Sequence, residues 1–393
     1  MDSEDPVAPE SEPALAEAQH AAAPLEAVPA PAFASVEPAE TRFLLWVLMG
    51  EGGLRAIWSV LMFALVLLLV AGVVGAIFFK LHLTNQSGHF AADQAFFGEL
   101  MLVLGMVAAG AAVALVERRH GNLLAFNLLG PRRGLRFAEG LVVGFLSLSA
   151  LVGALAWGHW LTFGPVALSG AQILRFAALW GAAFLLVGCF EEGVFRCYLQ
   201  FTLTRSLNFW WALGIEALVC LKLLIFNSGN GNWGVYGLVA LGLIPCLLLQ
   251  LKKTQSSGFW QAAWVTSTLF GFIHTGNNGE NWIGIFAAGA IGFVFVVSIR
   301  VTGSAWWAIG CHAAWDWAET YFYGAADSGN VATGHYLTTN PAGNVFWSGG
   351  TDGPEGSVLV IGIIVLMLLA LLAIYGRGKA AAEETAAAEL TAG

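Results

Sequence analysis

The chain has 393 residues, of which 58% are hydrophobic and only 11% charged, with a mean hydropathy of +0.72 and a formal charge of −9. Soluble domains carry about 25% charged residues, so this composition excludes an ordinary water-soluble globular protein and describes a chain that lives in a bilayer. The net charge says nothing about function: nine of the 26 acids lie in residues 1–40, where no Lys or Arg occurs, and the other 17 acids balance the 17 bases.

Residues 1–41 are rich in Pro, Ala and Glu. Such a segment buries too little apolar surface to fold, and it lacks the basic and apolar regions of a signal peptide, so a disordered acidic tail is expected. Residues 42–136 hold the N-terminal membrane segments. The run "FLLWVLMG" (43–50) is too short to cross and is expected along the interface; 56–79 and 97–116 are long enough. Residues 137–323 follow with apolar stretches at 138–161, 177–200, 208–226, 233–251, 259–277, 283–300 and 305–322. A Gly- and Asn-rich polar loop, 324–355, shows no readable motif. It is followed by a last span at 356–375 and a flexible tail, 376–393. The fold class is therefore all-α, a polytopic transmembrane helical bundle of about 8–10 spans.

Lys and Arg are retained on the cytoplasmic side of a membrane protein. With the N-terminus inside, 13 bases (Arg42, Arg55, Arg118, Arg119, Arg132, Arg133, Arg136, Arg205, Lys252, Lys253, Arg300, Arg377 and Lys379) fall on that side and only Lys80 and Arg175 outside. Both termini of this multi-pass inner- or plasma-membrane protein are therefore expected in the cytoplasm. Trp and Tyr cluster near predicted ends, as an aromatic belt does. The five cysteines all lie in apolar segments without a C-x-x-C pair, and act as small buried hydrophobes. No basic stripe suggests nucleic acid.

Charges inside a bilayer are costly and mark function or pairing. The ionisable residues within predicted spans are Glu191, Glu192, Arg196, Lys222, His274, His312 and Asp316, with Glu216 as a partner for Lys222. Counted from the ends of their segments, Glu191, His274 and His312 come to a similar depth, past the middle of a ~30 Å core, which suggests a shared cavity. Glu192 and Arg196 stand at i, i+4 and can neutralise each other. Glu191 is turned about 100° away and stays available for chemistry. His312 and Asp316 are also i, i+4, so the aspartate can fix the imidazole tautomer or share a ligand with it.

Three short patterns occur in order on successive segments: "EEGVFR" (191–196) as E-E-x-x-x-R, "FGFIH" (270–274) as F-x-x-x-H, and "HAAWD" (312–316) as H-x-x-x-N/D. Together they resemble the CPBP family of intramembrane proteases, which includes the CAAX prenyl endopeptidases and bacteriocin-processing relatives; the resemblance covers about 175–320. It implies hydrolysis of a peptide bond in or near the membrane, with Glu191 activating water, Glu192 and Arg196 supporting it, Phe270 marking the second motif, and His274 helping to hold the water. His312 and Asp316 would then stabilise the oxyanion. The expected partners are a membrane-associated peptide or protein substrate and the lipid bilayer.

This chain departs from the family pattern in two ways. It carries an extra hairpin, about 207–251, between the first and second motifs. It also has Asp316 where the prenyl-protein endopeptidases have Asn, and an ionised Asp cannot donate to an oxyanion. No metal is assigned; if one is present, Glu191, His274 and His312 are its candidate ligands, with zinc as the alternative to no cofactor. A catalytically silent scaffold and a proton-coupled transporter are the competing readings. The absence of a second E-E-x-x-x-R segment counts against the transporter.

Overall fold

The structure, a computed structural model, describes residues 43, 46–50, 53–84, 90–117, 127–226, 233–253, 256–277 and 279–376. The tails expected at 1–41 and after 376 lie outside the described residues, as do Arg42, Arg118, Arg119, Arg377 and Lys379. The chain divides into two units after Val47, and the unit from Leu48 onward holds the helical bundle.

Uniform apolarity over about 20 residues dictates helix in lipid, because only intra-segment hydrogen bonds satisfy the backbone there. Each of the ten predicted stretches is a helix: α1 (Ala56–Lys80), α2 (Ala92–Val116), α3 (Arg133–Trp157), α4 (Ala171–Glu192), α5 (Phe209–Phe226), α6 (Trp233–Lys252), α7 (Ser257–Ile273), α8 (Trp282–Thr302), α9 (Trp306–Asp316) and α10 (Leu359–Leu371). Helix α4 runs on through a π-helical turn, Gly193–Leu199, and the short helix Gln200–Thr204; α9 continues as a π-helix, Trp317–Tyr323. Among the described residues six of these, α1 to α4, α8 and α10 with their extensions, are long and apolar enough to cross a membrane, which makes this an integral membrane protein. The run at 43–50 ends in a two-residue strand, β1 (Met49–Gly50), paired antiparallel with β2 (Gly53–Leu54).

Short connections make successive helices antiparallel. Arg132, Arg133, Arg205, Lys252 and Arg300 therefore gather at one end of the bundle, and the segments 158–170, 274–281 and 324–358 at the other. At that second end the polar loop is an ordered cap. Its strand β4 (Thr339–Pro341) pairs antiparallel with β3 (Leu161–Phe163), Leu161 facing Pro341. Trp160 stacks on Trp347 at 4.8 Å, and Asn281 Nδ2 donates to the carbonyls of Gly349 and Gly356. Gly353 holds a φ of 109°, and a Cβ there would strike the carbonyl of Ala326, so the cap requires glycine at this point.

Among the described residues the most extensive helix contact is that of α3 with α9. Small residues permit that approach, as they do at interfaces in lipid generally. A Cβ on Gly140 or Gly144 would run into the backbone carbonyls of Trp307 and Cys311, and one on Gly310 into that of Phe137. Leu148, Leu151 and Leu155 then pack with Trp307 and Trp315 in the main core. Because Cys311 precedes His312, this contact also sets the histidine's position. Gly144→Val is expected to cost about 1–3 kcal/mol by overpacking, read as a lower melting temperature of the detergent-solubilised protein; an unchanged melt would show that the contact is slack.

The extra hairpin is present as α5 and α6, and α6 lies against α7. The expected Lys222–Glu216 pair is not found among the described residues. Lys222 Nζ lies 4.7 Å above the Phe272 ring, while Glu216 is buried beside Gly242 and Thr268. Six positions along a helix put the two side chains on different faces, and each finds a neighbour on its own.

Candidate active site

Helix α4 delivers Glu191 and Glu192 at its end, and the π-helical turn that follows carries Arg196. A π turn frees a backbone carbonyl, and Asn127 Nδ2 donates to that of Arg196 at 3.0 Å. Arg196 Nε lies 3.1 Å from Glu192 Oε2, both side chains sealed from solvent. The guanidinium carbon lies over the Phe270 ring, 4.0 Å from its centroid, where Gly292 leaves it room. The expected Glu192–Arg196 pair is thus formed.

Glu192 does more than neutralise. Its Oε1 lies 2.9 Å from His312 Nδ1, the shortest contact that this imidazole makes with a carboxylate. The ring is therefore held at Nδ1 by Glu192 rather than by its helix neighbour. Asp316 Oδ2 instead lies 3.5 Å from His312 Nε2, and Glu191 Oε2 lies 3.7 Å from the same nitrogen. Glu191 Oε2 has no hydrogen-bond partner, and its side chain is about a quarter exposed.

His274 sits just past α7, at the start of a 3₁₀ turn, His274–Gly276. The sequence placed it inside the span, but "TGNNG" ends the helix at once. Its Nδ1 bonds the carbonyl of Phe270 at 2.8 Å. A carbonyl only accepts, so Nδ1 carries the proton and Nε2 is left free to meet a water. Phe270 presents its edge to both imidazoles, with centroids 4.8 Å from His274 and 6.1 Å from His312. Glu191, His274, His312, Asp316 and Phe270 all line one cavity of about 220 Å³. At about 30 Å³ per molecule such a space takes several waters or a short peptide stretch. Glu192 and Arg196 stand behind it.

Among the described residues no three His, Cys, Asp or Glu side chains converge as a metal ion requires. Glu191, His274 and His312 share the cavity without forming such a set.

Several acids near the cavity escaped the sequence reading. Glu99 on α2 lies near enough to feel the charges of Glu191 and His312. Glu319 is fully buried on the α9 extension, where Trp315 Nε1 donates to its Oε2. Asp327 and Glu355, from the cap, line the cavity itself; Asp352 is buried beside Glu280 at the start of α8. In the cap, burial raises the carboxyls of Glu280, Asp327 and Glu355, and takes Asp352 up to about 9, helped by the Glu280 charge. A carboxyl raised in the folded state binds more protons there than in the unfolded chain, so its contribution is complete below the ordinary carboxylate range and lost as pH rises through the folded value. The melting temperature should therefore fall between pH 5 and pH 9, and Asp352→Asn should flatten that slope. A stability that climbs over this range would contradict the burial of these acids.

Residues 246–318 match the family model described as Rce1-like, Type II CAAX prenyl endopeptidase Rce1-like. The match takes in His274, His312 and Asp316 and leaves the E-E-x-x-x-R motif outside it. No curated protein and no solved structure matches the chain. This integral membrane protein thus carries a Rce1-like segment of the CAAX endopeptidase type at 246–318, consistent with a CPBP family protease.

Proposed function

We propose that this chain is an intramembrane endopeptidase in which Glu191 activates water against a peptide carbonyl. The observation that carries this reading is a carboxylate oxygen that accepts no hydrogen bond, 3.7 Å from an imidazole nitrogen, at the wall of a cavity with room for water. Water lies between Glu191 and His274 Nε2. Glu191 takes one proton as the water oxygen bonds to the carbonyl carbon. Charge then develops on the carbonyl oxygen, and His312 Nε2–H donates to it. Glu192 holds Nδ1–H and favours the protonated ring, and Asp316, also beside Nε2, favours the same form. Collapse breaks the C–N bond; Glu191 returns its proton to the leaving amine, so the products are an acid and an amine and the enzyme is restored. No step needs Asp316 to donate, which accommodates Asp in place of Asn.

The substrate is a membrane-associated peptide or protein. Comparative proteomics of membranes from wild-type and Glu191→Gln cells tests this: one protein should persist uncut in the variant, and identical proteomes would reject the reading. Elemental analysis bears on the route, since zinc at one per chain would replace it with a metal-activated water. We also place the basic end of the bundle in the cytoplasm, on the retention of Lys and Arg. A membrane-impermeant thiol reagent should then reach Asn330→Cys, in the exposed part of the cap, from outside intact cells; labelling only after lysis would invert the topology.

A further inference from the structure

The two halves of the site ride on different helices, the glutamates and Arg196 on α4 with its π turn and His312 on α9. Their alignment shows in the 2.9 Å contact between Glu192 Oε1 and His312 Nδ1. Close packing brings the helices together: a Cβ on Gly188 would press on the carbonyl of Ile309 at 3.0 Å and on the amide nitrogen of Ala313 at 3.3 Å. Packing of this kind sets how near two helices lie. It resists sliding along the axis far less, since apolar ridges find similar grooves a turn away. A directional tie between the two helices stops that slide.

Asn127, in the connection between α2 and α3, supplies the tie with its side chain and its backbone. Its Nδ2 donates to the carbonyl of Arg196 at 3.0 Å, in the π turn that directly follows the two glutamates. Its own carbonyl accepts from Ala305 N at 2.8 Å, at the start of α9 and about two turns before His312. One residue therefore joins the glutamate segment to the foot of the histidine helix. The neighbours seat it: Trp306 Nε1 donates to the carbonyl of Leu128 at 2.9 Å, and a Cβ on Gly130 would strike the carbonyl of Gly303. Asn127 also holds a left-handed backbone, with φ 60°, which few residues other than Gly, Asn and Asp adopt readily. A conformation that most side chains avoid, kept where two segments of the site meet, points to a role there.

We infer that Asn127 is a positioning residue, which fixes the axial register of α4 against α9 and so keeps Glu192 on His312 Nδ1. Its consequence for turnover rests on the hydrolase reading, in which that bond orients the ring that faces the oxyanion. Asn127 is not among the described residues that line the cavity, and it acts through the two segments it joins.

Two variants test this. Asn127→Gly removes the amide and keeps both the left-handed backbone and the carbonyl that meets Ala305. Asn127→Asp keeps the size and replaces the donor with a carboxylate, which can only accept. The readouts are new N-termini in cell membranes and the His312 Nδ1–H resonance of protein carrying isotope-labelled histidine, assigned by its loss in His312→Gln. Each variant should lose about tenfold or more of the Glu191-dependent cutting, because small misplacements of reacting groups are costly. The resonance should shift or broaden. The melting temperature should fall far less than in Arg196→Ala, since Leu128 and Gly130 still hold the segment. A purely structural role would lower the melt and leave the resonance of the folded protein in place. Wild-type cutting or an unmoved resonance in either variant would overturn the assignment, as would melts of both lowered as far as in Arg196→Ala. Cutting that persists in Glu191→Gln would reject the hydrolase reading instead, and a displaced resonance in Asn127→Gly would still establish the register.

Discussion

Glu191→Gln should lower the turnover of the cleaved substrate by a factor of about 10²–10⁴, the range that positioned proton transfer contributes. The replacement keeps the shape and removes only the ability to take a proton from water. Its effect should therefore fall on kcat with KM little changed, the mark of an interaction made in the transition state. Stability should hardly move, because Glu191 Oε2 accepts no hydrogen bond, its contact with His312 Nε2 is long at 3.7 Å, and the side chain is partly exposed. His312→Ala should remove a comparable factor by deleting the donor to the oxyanion. It should cost more stability, since it strands Glu192 Oε1 in the interior. The loss in His274→Ala should be smaller, because that ring positions a water without charging it. Cleavage of the purified protein's substrate in proteoliposomes, with a thermal melt on each variant, separates these effects. Normal turnover in Glu191→Gln would remove the mechanism, whatever the fate of the histidines.

Much of the fold was legible because lipid makes helix the only local solution. Every apolar stretch near 20 residues became a helix, from α1, which is apolar along its whole length, to α8, which is mostly buried. The Glu192–Arg196 pair was legible for a similar reason, as i, i+4 spacing is a local rule. The bond between Glu192 and His312 was not. It joins residues 120 apart, and it depends on glycines in α3 that let α9 approach. His274 was visible as a polar residue in an apolar run, but its place beyond the helix end rests on the Gly and Asn residues that follow it. The cap was least legible of all. Gly- and Asn-rich composition signals irregular backbone and says nothing about where that backbone goes. Contacts distant in sequence, among them the pairing of β3 with β4, the anchoring of Asn281 and the bond from Trp315 to Glu355, bring Asp327 and Glu355 to the cavity.

The largest effect on stability is expected from Arg196→Ala. Arg196 is 1% exposed, paired with Glu192, and lies between Phe270 and Gly292. Removing it leaves Glu192 with His312 alone and opens a void beneath Phe270. Breaking a buried ion pair from one side costs about 3–5 kcal/mol, because the surviving charge stays desolvated. Arg196→Lys should recover little of this, since an ammonium has no planar face to lay on the ring. The double variant Glu192→Gln/Arg196→Met removes both charges and refills the space, so its melting temperature should return most of the way to wild type. Its turnover should not. The Gln amide oxygen can still accept from His312 Nδ1, but it no longer favours the protonated ring that faces the oxyanion, and kcat should fall by about tenfold or more, in proportion to that lost charge. A variant that melts normally and turns over slowly would separate what the pair does for folding from what Glu192 does for His312. If Arg196→Ala melted like wild type, the guanidinium would not be holding the π turn in place, and the support assigned to it would have to come from Asn127 alone.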